Sequence, residues 1–189
     1  MKKLFLSSYF AAVYKMFPDF ANENCAGKTV TFVAAAAQVE KVTFYIDTAK
    51  KAFKKLGIIV DELDITQTSK EKITEIISRN DYIYVSGGNT FYLLQELKKS
   101  GAYQIIIDQI KSGKIYIGES AGSVVISKNI EYSNMIDDPG KAEHLDNYEA
   151  LSIIDFYPVP HHTNFPFKKV VDKTIQKYHS SLDLRPMSN

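Results

Sequence analysis

Short apolar runs alternate with longer amphipathic segments along this chain, and the alternation repeats at least four times. Apolar runs bounded by Gly, Asp, Asn or Pro are typical of buried strands. Strands that alternate with helices indicate βαβ units, so we expect an α/β fold with a three-layer, doubly wound, mostly parallel sheet. The predicted strands cover residues 3–7, 29–34, 58–63, 82–86, 114–118 and 153–157.

The longer segments place apolar residues at steps of three and four, which is the spacing of an amphipathic helix. The first predicted helix runs through residues 39–56 and turns its lysines toward solvent. Thr68 and Glu71 have the spacing of a capping box and predict the start of the next helix. Three further helices are predicted: one capped by Asn89, one between Gly101 and Gly113, and one after Asn164.

Composition and charge exclude several classes of protein. Apolar residues make up 45% of the chain and charged residues 24%, which is ordinary for a globular protein. The formal net charge of +1 lacks the basic excess of a nucleic-acid binder. The uncharged stretch at residues 29–39 is far shorter than the ~20 residues that span a bilayer. We therefore expect no nucleic-acid partner and no membrane segment.

Cysteine usage points to the cytoplasm. Cys25 is the single cysteine, so the chain has no intramolecular disulfide. No Cys/His pair has the spacing of a zinc site, and we expect no bound metal. The chain also lacks repeats, low-complexity tracts and linkers, so we assign residues 1–189 to one domain.

Chemically informative residues follow three of the predicted strands. Ligands of parallel α/β sheets bind beyond the carboxyl ends of the strands, so these positions are the places to look for a site. Residues 86–90 (Ser-Gly-Gly-Asn-Thr), 118–122 (Gly-Glu-Ser-Ala-Gly) and 158–164 (Pro-Val-Pro-His-His-Thr-Asn) follow strands. The two glycines of the first segment suit anion or oxyanion binding, although a flexible turn with an Asn cap explains them equally well.

Gly118-x-Ser120-x-Gly122, between a strand and a helix, has the pattern of a nucleophile elbow. Small residues on both sides let the chain turn sharply, so that a strained serine projects its hydroxyl. The N–H of Ala121, at a helix N-terminus, is then placed to stabilise an oxyanion. The alternative is that Ser120 only caps a helix between closely packed glycines.

A serine nucleophile needs a base and an acid that orients it. His161 and His162 follow a strand at the same sheet edge, whereas His144 is expected in a loop and His179 on the surface of a helix. Spacing does not choose the acid among the carboxylates between Ser120 and His161, which are Glu131, Asp137, Asp138, Glu143, Asp146, Glu149 and Asp155.

Taken together, residues 86–91, 116–122 and 160–164 resemble, in order and spacing, the motifs of the peptidase E family, the aspartyl dipeptidases related to cyanophycinase. The resemblance implies a fold similar to class I glutamine amidotransferase domains. It also implies a serine peptidase that needs no cofactor and cleaves after an N-terminal aspartate. Residue by residue, Ser120 matches the nucleophile, His161 the base, and Gly88 and Ala121 the oxyanion hole.

The chain departs from the family pattern in three places. The family aspartate follows an asparagine that corresponds to Asn134, but Met135 comes next here, so we expect Asp137 to be the triad acid, with Asp138 as the close alternative. The family arginine that recognises aspartate lies in a segment that is short here, and Lys169 or Lys168 is expected in its place. Relatives continue with further strands, so we expect a domain that lacks its C-terminal strands.

The leading hypothesis is a cytoplasmic serine peptidase whose partner is a small peptide and which is a monomer or homodimer. We expect Asn89 to contact the substrate; Glu119 faces either the substrate pocket or solvent. Two alternatives remain open. One is a cyanophycinase-like or isoaspartyl peptide hydrolase, and the other is a non-catalytic binding module of the same fold.

Overall fold

The computed structural model describes residues 2–188. No helix within this range is both long enough and apolar enough to cross a membrane. The strands are β1 (Leu4–Ser7), β2 (Thr29–Val33), β3 (Ile59–Glu62), β4 (Tyr82–Val85), β5 (Ile115–Glu119), β6 (Tyr157–Val159) and β7 (Leu184–Pro186). The helices are α1 (Phe10–Val13), α2 (Phe17–Ala21), α3 (Phe44–Lys55), α4 (Lys70–Arg79), α5 (Thr90–Ser100), α6 (Ala102–Lys111), α7 (Ala121–Val124) and α8 (Lys168–Tyr178).

The main sheet has five parallel strands in the order β1-β5-β4-β2-β3. β5 pairs with β1 through Ser7 and Glu119, and with β4 through Val85 and Gly118. The carboxyl ends of β1, β4 and β5 therefore lie side by side at one edge. The prediction of a parallel α/β sheet is confirmed, and its first five predicted strands match β1 to β5 within two residues at each end.

Alternate residues of the central strands enter two separate cores, because successive side chains of a strand point to opposite faces. Ile83 and Val85 pack with α4 to α7 on one face. Tyr82 and Tyr84 pack on the other face among aromatic residues of α1 to α3. Phe10 stacks on Phe53 with their ring centroids 4.4 Å apart. Helices therefore cover both faces of the sheet, which gives the expected three layers.

The sixth predicted strand, at residues 153–157, is wrong in position. The amides of Ile153 and Ile154 donate to the carbonyl of Ile126 instead of joining a ladder. The strand that forms is β6, which starts at Tyr157 and pairs in parallel with β7 in a separate two-stranded sheet. This loop contact buries Ile153 and partly buries Ile154, and an apolar pattern does not distinguish such a loop from a strand.

Two helix boundaries also differ from the prediction. α3 begins at Phe44 and not at residue 39, and Val42, counted among its apolar positions, is 62% exposed before the helix. The predicted capping box at Thr68 is wrong by one residue, because the hydroxyl of Ser69 accepts the hydrogen bond from the amide of Lys72. Ser69 has the extended backbone of an N-cap and therefore fixes where α4 starts.

Candidate active site

Ser120 lies on a sharp turn between β5 and α7. Its backbone has φ 48° and ψ −107°, a conformation rare for a residue with a side chain. The turn is held because the amide of Ser120 donates to the carbonyl of Ser7 at 2.9 Å, and its carbonyl accepts from the amides of Ser123 and Val124. The predicted sequence of strand, strained serine and helix is present, as a nucleophile elbow requires.

The two glycines of the elbow are required by close backbone contacts. A Cβ on Gly118 would lie 2.7 Å from the carbonyl oxygen of Gly122. A Cβ on Gly122 would lie 2.1 Å from the carbonyl oxygen of Val85, in the neighbouring strand. The hydroxyl of Tyr116 donates to the carbonyl of Gly122 at 2.7 Å and fixes it further. No side chain fits at either position without moving the turn.

His161 lies within hydrogen-bond distance of the serine. Oγ of Ser120 and Nε2 of His161 are 2.8 Å apart. The amide of His161 donates to the hydroxyl of Ser8 at 3.0 Å, and its ring stacks on Phe167 with centroids 4.5 Å apart. The structure thus brings together the two residues that the sequence assigns as nucleophile and base, although they lie forty-one positions apart.

Burial keeps the imidazole of His161 neutral. Desolvation lowers the pKa of His161 from 6.5 to about 4, because the charged form loses its hydration. At neutral pH the ring therefore has a free nitrogen lone pair, as a general base requires. The other three histidines make no contact of this kind in the described structure: the amide of His144 donates to Gln95 Oε1, the amide of His162 donates to the carbonyl of Met187, and His179 is exposed.

Two backbone N–H groups flank the serine. Gly88 has φ +131°, and a Cβ there would lie 2.2 Å from the carbonyl oxygen of Ala36. A Cβ on the preceding Gly87 would lie 3.2 Å from that of Ser120, so the glycine loop (residues 86–90) contacts Ser120. Within residues 2–188, the N–H groups of Gly88 and Ala121 have no protein acceptor. Both remain available to an oxyanion.

Asp137, the expected triad acid, contacts a different partner. Its Oδ2 accepts the amide of Thr90 at 3.0 Å and the hydroxyl of Thr90 at 2.5 Å, at the start of α5. Burial raises the pKa of Asp137 to about 6, against the effect of these hydrogen bonds. No carboxylate within residues 2–188 hydrogen-bonds to His161, and Asp138 binds the amide of Gly140. The structure therefore corrects the expected hydrogen bond between Asp137 and the base.

Asn89 and Glu119 border the same site, and both side chains already form hydrogen bonds within the protein. Asn89 caps α5 by accepting the amide of Tyr92, and its side-chain amide donates to the carbonyl of Asp138. Glu119 is 2% exposed, and its Oε2 accepts from the hydroxyl of Tyr84 at 2.6 Å and the amide of Phe10 at 3.2 Å. Of the two positions expected for Glu119, the pocket wall is the observed one.

A cavity of about 710 Å³ opens over Ser120 and His161. Gly88, Asn89, Glu119 and Asp137 also line it. Lys169 does not, since it lies exposed in the first turn of α8, outside the cavity-lining residues. Sequence reasoning missed five polar residues of the wall because no motif surrounds them: Ser8, Tyr9, Glu40, Tyr45 and Lys141.

Residues 4–187 match the sequence profile of Peptidase family S51. An uncharacterized peptidase of Listeria innocua is 50% identical over 189 residues, covering 100% of this chain and 90% of the relative. Peptidase E of Salmonella arizonae is 31% identical over 152 residues, which are 78% of this chain and 61% of the relative.

A solved structure agrees with this assignment. The crystal structure of a Listeria monocytogenes protein assigned to peptidase E superposes with a TM-score of 0.95 at 48% identity, and the match covers 100% of this chain and 91% of that one. The family match therefore spans the elbow, the glycine loop and the loop that carries His161 (residues 158–164, the histidine loop). This chain is a peptidase that belongs to peptidase family S51.

Proposed function

We propose that this chain is a serine-type peptidase that hydrolyses short peptides, with dipeptides bearing an N-terminal aspartate as its preferred substrates. The observation that carries the proposal is the 2.8 Å contact between Oγ of Ser120 and Nε2 of His161, on a strained elbow inside a cavity. The aspartate preference comes from the likeness to proteins named peptidase E.

In the proposed reaction His161 takes the hydroxyl proton of Ser120 as Oγ bonds to the scissile carbonyl carbon. The N–H groups of Gly88 and Ala121 bind the oxyanion of the tetrahedral intermediate. His161 then gives the proton to the leaving amine as the C–N bond breaks, which leaves an acyl-enzyme on Ser120. Water, deprotonated by His161, attacks the ester, and its collapse returns the proton to Oγ and releases the acid.

In this proposal Ser120 and His161 are the two residues that carry out the reaction, and Asp137 has a structural role. The carboxylate of Asp137 is bound to Thr90 at the start of α5, directly after the glycine loop. It therefore holds the wall that carries Gly88 and does not orient the imidazole. The stacked ring of Phe167 and the serine contact hold the imidazole plane.

The test is hydrolysis of a peptide panel by the purified chain. The panel contains Asp-Leu, Asn-Leu, Leu-Asp and the β-linked isomer of Asp-Leu. We expect Asp-Leu to be cleaved fastest and Ser120→Ala to lower kcat by a factor on the order of 10⁴ or more. Ser112→Ala is the matched control, because Ser112 is an exposed serine on the helix-end turn after α6.

Each result has a defined meaning. A fluorophosphonate should label the chain and its Ser112→Ala form but not Ser120→Ala. Faster cleavage of the β-linked isomer would replace the proposed substrate with an isoaspartyl one. Full activity of Ser120→Ala, or no cleavage together with no labelling, would contradict the proposed function.

A further inference from the structure

Several separate segments of the chain line the cavity around Ser120. On one side lies His161, with the apolar rings of Phe165 and Phe167. His161 must protonate the leaving amine, so this side holds the part of the substrate that departs first. The opposite side, beyond the glycine loop, therefore holds the N-terminal residue that becomes the acyl group. This assignment rests on the proposed function.

The acyl side is tied to the glycine loop by a series of contacts. The backbone of Gly88 packs against Ala36, and the amide of Glu40 donates to the carbonyl of Ala37 in the same turn. Oε1 of Glu40 accepts from Nζ of Lys141 at 2.8 Å. These contacts bring Lys141 to the oxyanion side of the cavity, although it is distant in sequence from both Gly88 and Glu40.

The backbone that carries Lys141 is fixed from the same side. The side-chain amide of Asn89 donates to the carbonyl of Asp138, and Oδ1 of Asp138 accepts the amide of Gly140. Lys141 and Glu40 also act electrostatically on Asp137, the lysine lowering and the glutamate raising the pKa of that carboxyl. Lys141 thus stands among acidic groups at a defined position.

Lys141 is the one lysine or arginine among the cavity-lining residues that the structure describes. An ammonium has three N–H donors, and Glu40 accepts one of them. About two thirds of each side chain of the pair is buried, so a second anion would meet a weakly screened charge. The neighbouring carboxylates of Glu40, Asp137 and Asp138 complement a free α-ammonium group.

A residue with both an α-ammonium and a side-chain carboxylate matches this wall. We propose that Lys141, positioned by Glu40, binds the side-chain carboxylate of the substrate's N-terminal residue and so selects acidic residues there. Lys169, which the sequence suggested for this role, lies outside the cavity. Lys141 is therefore a specificity-determining residue and takes no part in proton transfer.

The test measures binding, so that it does not depend on turnover. Ser120→Ala protein is titrated with Asp-Leu and with its uncharged analogue Asn-Leu by calorimetry. Adding Lys141→Met should weaken Asp-Leu binding at least tenfold and change Asn-Leu binding less than threefold, because the lost contact is a charge-assisted hydrogen bond. Lys141→Arg should keep most of the preference. Lys169→Met is the matched control and should leave both affinities unchanged.

Three outcomes would overturn the inference. They are equal affinity of the Ser120→Ala protein for the two peptides, an unchanged preference after Lys141→Met, and a preference lost on Lys169→Met. Thermal unfolding of each variant separates a lost contact from a lost fold. The calorimetry measures binding and not catalysis. A negative result would therefore contradict the role of Lys141 without contradicting the Ser120-dependent hydrolysis of the proposed function.

Discussion

Glu119 is a buried carboxyl next to Ser120, and its replacement by glutamine should change how stability depends on pH. Burial raises the pKa of Glu119 from 4.5 to about 7, against the effects of its hydrogen bonds with Tyr84 and Phe10. Between pH 5 and pH 7 the folded chain therefore retains a proton on this carboxyl that the unfolded chain has largely released. The carboxyl favours the folded state most below pH 4.5, and this advantage is lost as pH rises through 7.

The magnitude follows from the two pKa values. The gap between 4.5 and about 7 is worth about 3 kcal/mol, since one pKa unit corresponds to about 1.4 kcal/mol. Most of this, about 2.5 kcal/mol, is lost between pH 5 and pH 8. Glutamine does not ionise, and its carbonyl oxygen accepts from the same hydroxyl and amide. The unfolding free energy of Glu119→Gln should therefore gain about 2.5 kcal/mol relative to the unsubstituted chain over that range.

The assay is urea unfolding followed by circular dichroism at pH 5, 6, 7 and 8. The quantity of interest is the difference in unfolding free energy between variant and unsubstituted chain at each pH, since other titrating groups cancel in it. Glu143→Gln, at an exposed glutamate, is the control variant. A flat line for Glu119→Gln, or a difference that falls with pH, would refute the reasoning.

Three further predictions concern the site. Gly122→Ala should abolish fluorophosphonate labelling and lower the midpoint of thermal unfolding, because the new Cβ would lie 2.1 Å from the Val85 carbonyl oxygen; retained labelling would show that the elbow tolerates a side chain. The ring resonances of His161, identified by their loss in His161→Gln, should titrate in an NMR experiment with a midpoint near pH 4, and a midpoint near 6.5 would contradict the desolvated environment. Asp137→Asn should lower kcat for Asp-Leu by less than about tenfold, whereas His161→Gln should lower it by at least roughly 10³-fold. Equal losses in the two variants would show that Asp137 acts together with His161 as a triad acid.

The main sheet and the strained serine turn were predictable from local sequence signals. Five strands are short apolar runs with turn residues on both sides, and burial on both faces of a parallel sheet gives them this pattern. Asn89 caps α5 as its position before an amphipathic segment predicts. The elbow was recognisable because its steric requirements act within five residues, at Gly118, Ser120 and Gly122.

Contacts between distant segments were not predictable in this way. β6 and β7 have three residues each, and their pairing depends on a partner beyond an intervening helix. Glu40 and Lys141 are 101 positions apart, and each looks in the sequence like an ordinary solvated charge. The partner of Asp137 is an amide and hydroxyl at the start of α5, and the order of residues along the chain does not indicate which donor a carboxylate meets.

The short sheet of β6 and β7 has a consequence for when the enzyme becomes competent during its synthesis. Met187, directly after β7, binds the amide of His162 and the hydroxyl of Ser8 through its carbonyl, and its own amide donates to Val159. The histidine loop is thus held by Met187, which the ribosome adds 67 residues after Ser120, or roughly 3–13 s later. During synthesis the serine elbow is therefore made before the segment that anchors the histidine loop, and the contact between Ser120 and His161 is anchored only after Met187 has been added.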